Sequence, residues 1–265
     1  MHKTLAARDA VLADPAGTLL ALDFDGTLAH IVDDPDRAFA HEHSVAALSR
    51  IGSRLGHIAI ITGRPVRQAL KLGGFAGLAG LEGLVIFGQY GLERWDAATG
   101  DIVSPPRDPA IAVVEALLPQ WLVDHDAEAV RIEGKGLAIA LHTRGLGAGV
   151  FDRISPALTA LAAAHGLGVE PGRQVVELRT AVIDKGDVLR SYVAETGARH
   201  VIFAGDDLGD MPAFEVVAAL RATGITGLLI CSASAEQDAL VSLADVVLDG
   251  PDAVATWLEE LAGDL

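Results

Sequence analysis

Residues 18–35 read Thr-Leu-Leu-Ala-Leu-Asp-Phe-Asp-Gly-Thr-Leu-Ala-His-Ile-Val-Asp-Asp-Pro. The apolar run Leu19 to Leu22 predicts a strand buried on both faces, and it stops at two carboxylates, Asp23 and Asp25, followed by Gly26 and Thr27. In an open α/β sheet, ligands bind beyond the carboxyl ends of the strands, so a polar cluster here lies where such a fold places its chemistry.

Two aspartates two residues apart at a strand end can aim at one point. They can hold a divalent cation between carboxylate and backbone oxygens, and Mg²⁺ prefers such hard ligands. One carboxylate, Asp23, can attack phosphorus to give an aspartyl-phosphate, while the other, Asp25, gives a proton to the leaving alkoxide and later takes one from water. Taken alone, Asp-x-Asp-Gly also reads as a solvated Asx turn or a calcium loop. The buried strand before it, and similar clusters further along, favour the catalytic reading.

Composition narrows the choice. A chain of 265 residues with 51% apolar residues can build a sizeable core in one large or two small domains. Its 36 acidic and 20 basic residues give a net charge of −16, which repels nucleic acid and anionic membranes. A phosphorylated substrate must then be drawn by local cations. Cys231 is the single cysteine, with apolar neighbours Leu228, Leu229 and Ile230, so it reads as an inert core thiol and suits a reducing cytoplasm. Residues 1–17 lack the sustained apolar stretch of a signal peptide. The longest uncharged stretch, Ile154 to Val169, is interrupted by Pro156, His165, Gly166 and Gly168, and is too short and broken to cross a bilayer.

Working outward, Glu42 to Leu55 has helical spacing with Ser44 near its start, and His57 to Ile61 reads as a second strand. That strand ends in Thr62-Gly63-Arg64-Pro65, where Thr62 either donates its hydroxyl to a phosphoryl oxygen or caps the helix that Pro65 opens. A third strand, around Leu84 to Phe87, completes an alternation that predicts an α/β fold with a doubly wound parallel sheet. Pro105, Pro106 and Pro109 then mark a boundary. Beyond it come a helix over 110–123, strands over 129–133 and 137–142 joined at Gly134-Lys135-Gly136, a helix over 149–165, and strands near Val169 and over 175–178. This order predicts a small α+β cap, residues 106–179, inserted into a core formed by residues 1–105 and 180–265. The core resumes with a helix at Asp184-Lys185-Gly186 and a strand His200 to Ala204 that ends in Gly205-Asp-Asp-Leu-Gly-Asp210. Beside Asp23 and Asp25, Asp206 and Asp210 would complete an all-oxygen Mg²⁺ site. Lys185, at a helix start where backbone N–H groups also favour anions, would neutralise the transferring phosphoryl group.

These pieces resemble the haloacid-dehalogenase-type phosphatases. With Gly91-Leu-Glu93, Glu133-Gly-Lys135, His142-Thr-Arg144 and Glu177-Leu-Arg179 added, the likeness from Thr18 to Phe214 narrows to the trehalose-6-phosphate phosphatases. The resemblance implies Mg²⁺-dependent hydrolysis of trehalose 6-phosphate on a Rossmann-like core. It implies Asp23 as nucleophile, Asp25 as acid/base, Thr62 and Lys185 as phosphate-binding groups, and Asp23, Asp25, Asp206 and Asp210 around the metal. It also implies substrate binding by Gly63, Arg64 and the cap residues Glu133, Lys135 and Glu177, with a functional link to a trehalose-6-phosphate synthase. Two departures stand out: Gln89-Tyr90 where the family often has Asn-His, and Gly209 with Met211 in place of Thr and Glu. Competing readings keep the chemistry but change the substrate to sucrose phosphate or mannosylglycerate phosphate, or make the chain a silent sugar-phosphate binding module.

Overall fold

The computed structural model describes residues 2–143, 145–146, 149–172, 175–180, 183–233 and 240–265; Arg144 of the expected sugar-site motif lies outside these. The chain divides into two compact units, one of Met1–Ser104 with Ile183–Leu265 and one of Pro105–Val182.

In the larger unit, α1 (His2–Ala13) precedes β1 (Thr18–Leu22), and then come α2 (Glu42–Gly52), β2 (His57–Ile61), α3 (Val66–Gly73) and β3 (Leu84–Gly88), followed by β4 (Glu93–Asp96) and β5 (Ile102–Val103). In the smaller unit, α4 (Pro109–Asp124) leads to β6 (Arg131–Gly134), β7 (Ala138–His142), α5 (Gly149–Ala164), β8 (Gly168–Gly172) and β9 (Val175–Arg179). The larger unit resumes with α6 (Lys185–Thr196), β10 (His200–Gly205), α7 (Met211–Arg221), β11 (Thr226–Ala233), β12 (Val246–Asp249) and α8 (Gly250–Asp264).

Its eight strands run in the order β12-β11-β10-β1-β2-β3-β4-β5. The first six are parallel, with β1 at the centre, Leu20 beside both Ile202 and Ile58. Alternate side chains enter two separate apolar layers. Leu20, Leu22, Ile58, Ile60 and Ile86 pack against α1, α2, α3 and α8. Leu19, Ala21, Ile61, Phe87 and Phe203 pack against α6 and α7, and Cys231 is buried in the same layer. Every side chain of β1 is fully buried, each leucine contributing about 1.5–3 kcal/mol. The order of strands reverses between β1 and β10, which opens a crevice at their carboxyl ends.

The sheet is not parallel throughout. β4 and β5 are antiparallel additions at one edge, because the few residues between β3 and β4 are too short for a crossover. Arg94 secures that edge: it donates to both carboxylate oxygens of Glu195 on α6 at 2.7 and 2.8 Å and stacks over Phe87 and Tyr192. α2 starts at Glu42 as expected and ends at Gly52 rather than Leu55. His41 is its N-cap, its ring accepting from the His43 N–H, while Ser44 is buried within the helix.

The smaller unit is an antiparallel sheet ordered β6-β7-β9-β8. One face is apolar: Ile139, Leu141, Val176 and Leu178 pack against α4 and α5. The register lines up Glu133, Ala140, Glu177 and Glu170 across the other face.

On the surface of the larger unit, His43 pairs with Glu259 of α8 at 2.8 Å, and the hydrogen bond and charge of Glu259 raise its pKa. A raised folded pKa stabilises the fold below the unfolded value of about 6.5 and ceases to do so as pH climbs through the folded value. Thermal melts of wild type and His43→Ala across pH should therefore differ most below pH 6 and converge above pH 8. A gap that widens with pH would contradict this pairing.

Candidate active site

Three adjacent strands, β10, β1 and β2, deliver the site. The Asp23 N–H donates to the Ala204 carbonyl at 2.9 Å, and the Thr62 N–H to the Phe87 carbonyl at 2.9 Å, so sheet pairing continues to the first residues beyond β1 and β2. Asp23, Asp206 and Asp210 are buried and present oxygens within 4.8 Å of one another. Lys185 enters from the first turn of α6, whose N-cap is Asp184. Its buried ammonium donates to Asp23 Oδ1 at 2.6 Å and Asp210 Oδ1 at 2.7 Å. The other oxygen of Asp210 accepts from the Asp206 N–H at 2.9 Å, which fixes the loop beyond β10.

Three carboxylates against one ammonium leave two formal negative charges uncompensated. The electrostatics follow from that excess. Burial, then the charge of Asp210, push Asp23 well up; burial, Asp210 and Asp207 push Asp206 up to about 8. Burial also raises Asp210. Burial alone would discharge Lys185, but Asp210 and Asp23 outweigh it and hold the ammonium protonated. A cluster of hard oxygens with two negative charges to spare fits a divalent cation.

Gly26 makes the arrangement possible. It adopts φ +77°, and a Cβ there would lie 2.1 Å from Asp206 Oδ2. Its carbonyl accepts from the buried Ser232 hydroxyl at 2.6 Å, a tie from β11 that the sequence did not signal.

Asp25 is held differently. Arg64 donates to its two oxygens at 2.6 and 2.7 Å and to the Pro35 carbonyl at 2.9 Å, so the Asp25 carboxylate stands outside the three-aspartate cluster. The Thr62 hydroxyl oxygen accepts from the Arg64 N–H at 3.1 Å, and Gly63 is the partly exposed residue between them. Glu93 accepts from the Val66 N–H at 2.6 Å at the start of α3, a cap that comes from a distant strand and left no local sequence signal.

In the smaller unit, Glu133 accepts from His142 at 2.6 Å, Lys135 pairs with the buried Glu177, and Arg179 pairs with Glu170 at 2.6 Å. The hydrogen bond from His142, together with nearby Lys135, lowers the pKa of Glu133 although burial opposes it. This is a cluster of acceptors and donors on a sheet face that its own helices do not cover.

The trehalose-phosphatase family model matches residues 21–246. The chain belongs to the trehalose-phosphatase family. Trehalose-phosphatase relatives in sequence include the trehalose-phosphate phosphatase of Mycobacterium tuberculosis, 29% identical over 251 residues that cover 92% of this chain and 61% of that protein. An uncharacterized glycosyl hydrolase of the same organism is 33% identical over 255 residues, 92% of this chain and 18% of that protein. The chain thus spans less than two thirds of the length of these relatives. Among solved structures, the C-terminal domain of C. albicans trehalose-6-phosphate phosphatase shares the fold, with a TM-score of 0.78 at 19% identity over 99% of this chain and 97% of that one.

Cation binding can be read without turnover. A divalent cation at about 100 times its Kd should stabilise the fold by about 2.7 kcal/mol. Thermal melts with and without Mg²⁺, Mn²⁺ or Ca²⁺ should show the shift in wild type and a much smaller one in Gly26→Ala, where the new methyl displaces Asp206. Equal shifts in both proteins would contradict the assignment.

Proposed function

We propose that the chain hydrolyses trehalose 6-phosphate to trehalose and phosphate through an aspartyl-phosphate on Asp23. The observation that carries this reading is the buried Asp23–Lys185–Asp210 arrangement at the crevice of a trehalose-phosphatase-family fold.

The roles follow from the contacts. Lys185 engages Asp23 Oδ1 and holds the carboxylate in place for its attack on phosphorus. As the new O–P bond forms, the bond to the sugar oxygen breaks and Asp25 gives that oxygen a proton; Asp25 then takes a proton from the water that cleaves the aspartyl-phosphate. Arg64 keeps the Asp25 carboxylate in one orientation between these steps. Because the Thr62 oxygen already accepts from a backbone N–H, its hydrogen can be given to a phosphoryl oxygen. Gly63 and Arg64 form the rest of the loop that receives the phosphoryl group.

Mg²⁺ is the cofactor this reading assigns to Asp23, Asp206 and Asp210, with the backbone at Asp25; when bound it neutralises charge on the phosphoryl oxygens. Hydrolysis of a phosphate monoester needs up to ~10²¹-fold acceleration, about 29 kcal/mol, so no single group can supply it. Glu133, Lys135 and Glu177 are proposed to bind the sugar. A pair of carboxylates and an ammonium matches hydroxyls that both donate and accept, and a site built for hydroxyls discriminates against analogues that leave it unpaired. The smaller unit is thereby read as the specificity cap. Trehalose-6-phosphate synthase would supply the substrate. Cytoplasmic placement is supported by the lone buried Cys231; among the described residues, no helix is long and apolar enough to cross a membrane.

Phosphate release should be measured with Mg²⁺ on trehalose 6-phosphate, sucrose 6-phosphate and glucose 6-phosphate, with Asp23→Asn as control. Strong preference for the first, lost in the variant, is expected. Preference for another ester would overturn the cap assignment, and turnover by Asp23→Asn would overturn the nucleophile.

A further inference from the structure

β3 runs directly into two residues in left-handed conformation, Gln89 at φ 47° and Tyr90 at φ 57°, followed by Gly91 at φ 98°. Such backbone is uncommon outside glycine, and a consecutive pair persists only where the surroundings impose it. Here the imposition comes from the Thr62 loop: the Gln89 N–H donates to the Arg64 carbonyl at 2.9 Å and the Tyr90 N–H to the Thr62 carbonyl at 3.0 Å. The Gln89 side chain is buried, and among the described residues neither of its amide atoms has a hydrogen-bond partner. A turn that tolerates a buried unpaired amide and two unfavourable φ values is held for some other purpose.

Its effect is to lay Tyr90 on Gly63. A Cβ at position 63 would stand 2.7 Å from the Tyr90 Oη and 2.8 Å from its Cζ, so glycine is required for the phenol to approach the loop backbone. Thr62 and Arg64 are buried, whereas Gly63 and Tyr90 are partly exposed. Gly63 and Tyr90 are thus the residues of this contact that retain some solvent exposure.

We propose that Tyr90 is a further substrate-contacting residue, its O–H donating to a phosphoryl oxygen of the bound ester. The inference rests on the reading that the Thr62–Arg64 loop receives the phosphoryl group. A phenol is suited to this role because it is a neutral donor, and donation to a charged acceptor is stronger than donation to a neutral one. In a chain of net charge −16, any donor beside the phosphoryl group supplements Lys185 without adding to the acidic excess. The position is one of the two departures from the family's usual residues.

The test compares wild type, Tyr90→Phe and Tyr90→His in Mg²⁺, using trehalose 6-phosphate, p-nitrophenyl phosphate and inhibition by inorganic phosphate. Tyr90→Phe should raise KM for both esters, and the inhibition constant of phosphate, by about tenfold, the worth of one hydrogen bond to a charged group, with a much smaller change in kcat. Tyr90→His, which keeps a donor, should recover most of that loss. Wild-type KM and phosphate inhibition in Tyr90→Phe would overturn the proposal, and so would a change confined to the sugar ester, which would put the phenol on the sugar. Absence of phosphate release by wild type from either ester would instead remove the functional reading on which the proposal rests.

Discussion

A buried ammonium joins the two strand ends on which the larger unit's chemistry depends. Lys185 reaches Asp23 beyond β1 and Asp210 beyond β10, so one side chain gathers three segments that are far apart in sequence. Taking all of these groups out of water is costly, and the attraction offsets the cost only in part because carboxylates outnumber the ammonium. The raised pKa values of Asp23, Asp206 and Asp210 express the remainder. A site left with spare negative charge favours a divalent cation, and in the proposed reaction a dianionic ester would enter once that charge is balanced. On that reading, binding of cation and substrate would be linked by one electrostatic deficit.

Geometry at this scale depends on the apolar layers beneath it. β1 is buried on both faces, flanked by β10 and β2, so the aspartates beyond it inherit the rigidity of the sheet. Close approach completes the site. Gly26 leaves room for Asp206, Gly63 leaves room for Tyr90, and Ser232 ties the Gly26 turn to a third strand. Arg64 serves two segments at once, with its guanidinium on Asp25 and Pro35 and its backbone on Thr62 and Gln89.

The α/β character was legible because it is local. Strands buried on both faces read as continuous apolar runs, and helices show their period. The edge pair β4 and β5 was not legible: Glu93, Arg94 and Asp96 carry charge into a short strand, which is stabilised by a contact with Glu195 about a hundred residues away. The His41 cap was hidden because histidine is an unusual N-cap. At the site, the strand-end aspartates and Lys185 were visible as residue types in the expected places, and the structure brings Asp23, Asp206, Asp210 and Lys185 together. The pairing of Asp25 with Arg64 and the left-handed turn at Gln89-Tyr90 depend on tertiary contacts that no spacing encodes.

If the Asp23 carboxylate, held by Lys185, is the nucleophile, it becomes covalently phosphorylated during turnover. Rapid acid quench of the working enzyme with its phosphate ester, followed by peptide mapping by mass spectrometry, tests this most directly. The expected result is an acid-stable phosphoryl group on Asp23 that disappears when turnover is allowed to finish. A phosphoryl group on any other residue, or product formation in single turnover with none trapped on Asp23, would contradict it.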